Sequence, residues 1–444
     1  MLRCQLLSML QPCCIMKMNS RLLIFIGALL VEIAAFAQVQ PPAQTAPGTD
    51  AQFQIPATDD GLPGAGPIRR YDWFQKLWAQ RRSAWHKRVA QDQKALVFLG
   101  DSITQGWGDD MGGKFPGVKV ANRGISGDTT RGVLIRLRED VLDLHPSGVV
   151  LLIGTNDLEE GADPETIAAN LKLILAELKR ADPKMPVILC NVFPSSESKK
   201  RPVDKIKKIN QLYAAAVKGD AQVIPIDTWL LFADAQGDAP KAEFPDLLHP
   251  NQAGYAKWAA ALHPILATLG FLENEADVFT PEPGFVSLFN GKDLTGWGYK
   301  NMNFDGQITS NEGRYVARLG RLIVTTPPEG RRETQLWTTR KFPENFTLKL
   351  EFRAGVNADS GIFIRDPQLQ CRDYLIAGPY KELKHYKPQE WNEIVIDVKD
   401  NVAHCECNGE VLEDALKIPA TGPIGLEGDR GQMEYRRIRI KTAE

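Results

Sequence analysis

The stretch ALVFLGDSITQGW, residues 95–107, decides how this chain is read. Residues 95–99 form a short apolar run of the kind that makes a buried strand. The run stops at Gly100-Asp101-Ser102, and a helix-compatible segment follows. A serine at the end of a strand has its hydroxyl lifted to the rim of the sheet, within reach of a substrate. Turns favour serine for local reasons, so Ser102 needs partners before it means chemistry. Three later blocks supply candidates: Asn122-Arg123-Gly124, Gly154-Thr155-Asn156-Asp157 and Asp246-Leu247-Leu248-His249. Each lies near the end of an apolar run.

Working outward, apolar runs at 95–99, 118–121, 148–153, 186–192 and 222–226 alternate with helical patterns at 130–142, 164–180 and 203–217. A last helix is expected over 252–269. Continuous apolar strands joined by amphipathic crossovers predict an α/β fold, a parallel sheet covered by helices on both faces. In such sheets ligands gather at the carboxyl ends of the strands, and Ser102, Gly124, Asn156 and His249 all fall on that rim. Ser102 is a poor nucleophile until a base takes its proton, and His249 is the residue type suited to that role. Asp246 can accept a hydrogen bond from the other imidazole nitrogen. Taken singly, Gly124 reads equally well as a turn, Asn156-Asp157 as a helix cap and His249-Pro250 as a helix-entry turn.

Together the four blocks, extended by NRGISGDTTRG (122–132) and HPNQAGYAKWA (249–259), resemble the GDSL or SGNH hydrolase family. The likeness is strongest to its platelet-activating-factor acetylhydrolase-like and carbohydrate-esterase branches. The resemblance implies a flavodoxin-like sheet sandwiched by helices and a serine esterase with Ser102, Asp246 and His249 as catalytic residues. It also implies an oxyanion hole made by the backbone N–H groups of Ser102 and Gly124 and the side-chain amide of Asn156. A residue without Cβ at 124 would let a carbonyl oxygen approach the backbone. Such a triad needs no metal or organic cofactor.

The 444 residues suggest two or three domains, and a formal net charge of -2 gives no support to a nucleic-acid or anionic-membrane partner. The aromatic-basic segment 73–89 places Phe74, Trp78, Arg81, Trp85 and Val89 at helical spacing, which predicts a helix packing one face on the first domain. The start of the chain reads as a leader, with Lys17 and Arg21, an apolar core over 22–34 and a cleavage site after Ala37. Secretion or export to the periplasm is therefore expected, with initiation at Met1, Met16 or Met18. The apolar stretch is short for a membrane span and carries Glu32. Residues 38–67, rich in Pro, Gln, Ala and Gly, read as an exposed linker without a core, and 68–273 as the hydrolase domain. Cys4, Cys13 and Cys14 fall in the leader; Cys190, Cys371, Cys405 and Cys407 are too few for a disulfide scaffold. His404-Cys405-Glu406-Cys407 reads as ordinary strand rather than a zinc site.

Residues 274–284, acidic and proline-bearing, read as a hinge. Over 285–444 short strands with Gly, Asn and Pro turns predict a β-sandwich, with a hairpin at Asn408-Gly409. This part resembles the concanavalin-like 3-keto-disaccharide hydrolase family, an all-β jelly roll. The matching residues are 289–297 (FNGKDLTGW), 359–365 (DSGIFIR), Trp391-Asn392 and 422–426 (GPIGL). It departs from that pattern at Asp359, where the family has Asn, and at Pro367-Gln368-Leu369-Gln370, where the family has Tyr-Glu-x-Gln. Gln368 thus stands where a carboxylate is expected, and an amide cannot act as a base. Glycan binding is favoured over cleavage for this domain. The whole chain is therefore expected to be a secreted esterase acting on small acyl groups, acetyl foremost, of acylated carbohydrate or another small ester. The alternatives are a bifunctional enzyme that also cleaves 3-keto-glycosides, a lipid or phospholipid acylhydrolase, and a non-catalytic glycan-binding protein.

Overall fold

The computed structural model describes residues 50–272, 275–311, 313–325, 335–373, 379–429 and 431–443. The leader with its cleavage site after Ala37, the first part of the linker, and residues 273 and 274 lie outside the described residues.

Five parallel strands form the first sheet: β1 Leu96–Gly100, β2 Val120–Gly124, β3 Gly148–Leu152, β4 Val187–Cys190 and β5 Val223–Ile226. Their spatial order is β2-β1-β3-β4-β5. Gly100 stands level with Gly124 on one side and Leu152 on the other, so three strands end on one line. Alternate strand residues feed opposite layers, as the two-residue period requires. Val97, Leu99, Val149 and Leu151 pack with helices α3 (Thr130–Asp140), α4 (Pro164–Ala181) and α5 (Val203–Val217). Leu96, Phe98, Val150 and Leu152 pack with Trp258, Leu262 and Ile265 of α6 (Gln252–Thr268). Burial on both faces is why these strands read as unbroken apolar runs.

Helix α1 (Asp72–His86) buries Phe74, Trp78 and Trp85 against Ile125, as its spacing predicts. The guanidinium groups of Arg123 and Arg136 stand 5.1 and 5.6 Å from the Trp85 ring. The linker reading fails from residue 50 onward. Phe53 and Ile55 are buried, Asp59 pairs with Arg70 and Arg131 at 2.6 Å each, and Asn170 of α4 brackets both backbone groups of Ala65. Those two guanidiniums hold the Asp59 carboxyl below the usual carboxylate range. The segment is a strap, held by partners far away in sequence that composition does not reveal.

The second part packs two antiparallel sheets, of eight and six strands, around one core. Leu348, Phe352 and Ile396 enter that core from the larger sheet, and Ile362, Ile364 and Leu426 from the smaller. Asn408 and Gly409 take positive φ values of 49° and 80° between strands Val402–Cys407 and Glu410–Lys417, as the hairpin reading required. Cys405 and Cys407 point into the core while His404 bonds Asp414 outside it, so thiols and imidazole do not converge. The hinge reading also needs correction. Asp277 accepts from Arg437 and Glu282 from Arg439, and both guanidiniums stand over Phe279. Residues 277–282 are thereby pinned to strand Met433–Thr442.

The two parts are joined by more than the chain. Val356 of the second part belongs to the α6-side core of the first, and Asn357 Nδ2 donates to Asp227 Oδ2 at 3.2 Å. Gln432 Nε2 donates to the Pro264 carbonyl and to Thr268 Oγ1 in the last turns of α6.

Candidate active site

Ser102 opens the short helix α2 (Ser102–Gly106) directly after β1. Asp101 caps that helix, its Oδ1 accepting from the Ile103 N–H at 2.9 Å. The rim loop before α6 delivers the other two residues. His249 Nε2 lies 2.9 Å from Ser102 Oγ, and His249 Nδ1 lies 2.7 Å from Asp246 Oδ2. Asp246 Oδ1 also accepts the backbone N–H groups of Leu248 and His249, which turns the loop back on itself. Leu247 takes a φ of 65°, a left-handed conformation that costs a branched side chain energy, and its carbonyl is held by Ser195 Oγ. Burial pushes the Asp246 carboxyl up. The hydrogen bonds from the His249 N–H and ring, the imidazolium charge and the Leu248 N–H outweigh that and bring it down to about 2. Asp246 is therefore a carboxylate wherever the protein works, and can fix the imidazole with Nε2 free to take the serine proton.

The expected oxyanion donors divide. The Ser102 N–H makes no hydrogen bond to the described residues. Asn156 is held from both sides. Its Oδ1 accepts from Arg201 Nη2 at 2.9 Å, and its Nδ2 donates to the Asp128 carbonyl at 2.9 Å, which leaves one N–H over. Gly124 is a different matter, because its N–H already donates to Asn122 Oδ1 at 2.8 Å. Its missing side chain serves packing instead of substrate: a Cβ there would strike the Gln105 N–H and, at 2.7 Å, the Asp101 carbonyl. Three residues on, Gly127 has φ +89° and an N–H with no partner among the described residues, and it adjoins the carbonyl that Asn156 holds. Gly127, rather than Gly124, offers the free backbone donor. The string GISGD carries both glycines, and nothing local in it separates their roles.

Sequence reasoning also missed what lies beneath the rim. Arg201 is buried and spends its guanidinium on Thr155, Asn156, Glu159 and the Lys199 carbonyl. Asp157 accepts from the Thr130 N–H and hydroxyl, and burial pushes its carboxyl up to about 7. Burial likewise pushes Asp101 and Asp128 to about 6, the latter despite its ion pair with Arg136. Each of these carboxyls is thereby less fully ionised near neutrality than a free one, which lessens the negative charge facing a developing oxyanion.

Human platelet-activating factor acetylhydrolase IB subunit alpha2 is 30% identical over 195 residues, covering 41% of this chain and 82% of that protein. The chain belongs to the GDSL-like lipase/acylhydrolase family. The family model matches residues 98–257, which hold Ser102, Asn156, Asp246 and His249. The alpha1 subunit from Pongo abelii is 29% identical over the same length. A GDSL-like lipase structure from Bacteroides thetaiotaomicron is 28% identical, covering 44% of this chain and 97% of that one with a TM-score of 0.37. Residues 284–441 of this acylhydrolase match a second model, that of a 3-keto-alpha-glucoside-1,2-lyase-like domain.

That second part has its own polar face. On the outer side of the six-stranded sheet, Trp337 and Phe363 stand with ring centroids 5.2 Å apart. Gly361 and Gly425 leave room for Gln368 and Trp337 to lie across the strands. Gln368 bonds Glu427, which also accepts from Gln335 at 3.0 Å, and Gln370 donates to Gln368 at 2.9 Å. Gln368 stands where the resemblance expects a carboxylate, and Glu427, just past the end of strand Ile424–Leu426, brings one against it. A pattern tied to one strand could not reveal that exchange.

Proposed function

We propose that this acylhydrolase is an exported serine esterase that removes acetyl and other short acyl groups from carbohydrate, while the outer face of its second part holds glycan. The observation that carries the reading is the unbroken relay from Asp246 through His249 to Ser102. Ser102 Oγ bonds to the ester carbon as its proton passes to His249 Nε2, and the carbonyl pair moves onto oxygen. The Ser102 and Gly127 N–H groups and the spare N–H of Asn156 stabilise that oxyanion. Collapse expels the sugar oxygen, which takes the proton from His249 and leaves acyl-Ser102. Water then repeats the cycle, releasing the acid and the free serine. Acetyl is favoured by the relatives, which are named acetylhydrolases, and carbohydrate by the match over 284–441 together with the Trp337–Phe363 face. Export rests on the leader pattern before Ala37.

Acetate release from an acetylated polysaccharide and from ethyl acetate tests this. Ser102→Ala and His249→Ala should each lower kcat by about a thousandfold or more, with Asp246→Asn damaging but leakier. Wild-type turnover by the Ser102→Ala protein would sink the assignment. Only neutral imidazole accepts the serine proton, so activity should fall on acidification. Asp246 stays ionised down to about pH 2, so its protonation should contribute nothing to that fall, even where the buried acids at about 6 and 7 beneath the site also take up protons.

One observation favours a second activity. Glu427 gives the outer face a base that Gln368 cannot supply. Sugar release from a 3-keto-glycoside by the Ser102→Ala protein, abolished by Glu427→Gln, would establish cleavage there. Binding without release would leave the face as a glycan holder.

A further inference from the structure

Most aromatic side chains of α1 are buried, but Trp73 in its first turn and Tyr71 just before it are not. Tyr71 and Trp73 are 52% and 51% exposed and their rings lie nearly parallel, with centroids 6.4 Å apart and 11° between planes. Both are anchored. Trp73 meets Phe74 edge-on at 5.7 Å, and Tyr71 Oη lies 3.3 Å from Glu160 Oε2. Arg69 ties the base of the pair to Glu159 and, at 2.6 Å, to Glu160. Their position is what matters. A Cβ on Gly127 would come within 2.7 Å of the tip of the Trp73 ring and 2.8 Å of Arg69 Nη1, so the indole lies directly against the loop that offers the free backbone N–H. Glu159 and Glu160 follow Asn156 at the end of the adjoining short helix Thr155–Glu159. The pair therefore stands between the Gly127 loop and the short helix of Asn156, which carry the proposed oxyanion donors.

We infer that Tyr71 and Trp73 form a platform for a saccharide ring of the ester substrate, seated next to the acyl group under attack. The inference rests on the proposed action on carbohydrate and adds the subsite that would select it. A pyranose has an apolar face of axial C–H bonds and a perimeter of hydroxyls. Flat, exposed, rigidly backed rings suit the face, and the partly exposed Glu159 and Glu160 carboxylates beside them, held by the buried Arg69, suit the perimeter. An acyl chain would use the rings and leave these charges facing hydrocarbon, which is costly. The stacked pair needs no rearrangement to receive a ring, so binding loses little to ordering.

The test uses the full chain and its Trp73→Ala and Tyr71→Ala variants. Acetylated xylo-oligosaccharide and ethyl acetate serve as substrates, and the unacetylated oligosaccharide as an inhibitor of ethyl acetate hydrolysis. Trp73→Ala should lower the ratio of kcat/KM on the acetylated sugar to that on ethyl acetate at least tenfold, chiefly through KM. It should weaken inhibition by the unacetylated sugar by a similar factor, and Tyr71→Phe, which keeps the ring, should restore most of what Tyr71→Ala loses. Inhibition that depends on Trp73, with no acetate released from the acetylated sugar, would uphold the platform and remove the proposed substrate. An unchanged ratio and unchanged inhibition in Trp73→Ala would overturn the platform even if the sugar ester is hydrolysed. A response of KM to Trp73→Ala seen only with dihexanoyl phosphatidylcholine would overturn it in favour of lipid.

Discussion

Asn156 has two carbonyl lone pairs and two N–H bonds to place, and the structure fixes its orientation with one of each. Arg201 donates to Oδ1 at 2.9 Å and the Asp128 carbonyl takes one N–H. The amide cannot flip without losing both, and the guanidinium draws charge toward Oδ1, making the remaining N–H a better donor to an oxyanion. On the proposed mechanism Arg201 is thus a positioning residue that acts through Asn156. Arg201→Met should lower kcat by roughly tenfold, about 1.4 kcal/mol, with KM little changed. In an Asn156→Ala background, which alone should cost about a hundredfold or more, the same substitution should add almost nothing. Full additivity in that double-mutant cycle would show that Arg201 merely holds the fold. Ser102, Asp246 and His249 were legible because each sits in a short block with its own local pattern. Arg201, Gly127 and Glu427 were not, because what distinguishes them is a partner from another part of the chain.

At the scale of elements, most strands and helices were readable within a residue or two where burial imposed a period, although the run read at 118–121 became strand Val120–Gly124. Helix α5 begins and ends at Val203 and Val217 as its apolar spacing predicts, and strand Val402–Cys407 likewise matches its reading. The strap over 50–67 escaped because it has no period. Its anchors are two apolar side chains, a carboxylate and a pair of backbone groups, each answered from α1, α3 or α4 or the turn before them. Burying Phe53 and Ile55 is worth roughly 1.5–3 kcal/mol each before ordering costs. A full chain lacking residues 1–67 should therefore melt several degrees below one lacking only 1–49, measured by calorimetry. Equal melting temperatures would return the segment to the status of a linker.

For the whole molecule, the junction between the parts resembles a core more than a hinge. Arg353 and Glu434 form an ion pair with both side chains at most 3% exposed, and Thr268 Oγ1 at the end of α6 donates to Glu434 Oε1 at 3.2 Å. Removing one member strands the other without water, at a cost of roughly 3–5 kcal/mol. The full chain should accordingly unfold in one calorimetric transition, and Glu434→Leu should lower it or split it in two. Two well-separated transitions in the wild type would show that the halves are merely tethered. Helix α6 gives this junction a further meaning. Its first turn follows His249 by three residues, and its last turn is what the β-sheets grip. The imidazole proposed as proton acceptor is mounted at one end of a rod whose other end is clamped by the neighbouring sandwich. Evolution or an engineer wishing to exchange that sandwich for another therefore cannot cut at the proline-bearing connection alone. A graft must reproduce the turn that carries Val356 and Asn357, or retune the helix, or else accept a displaced histidine.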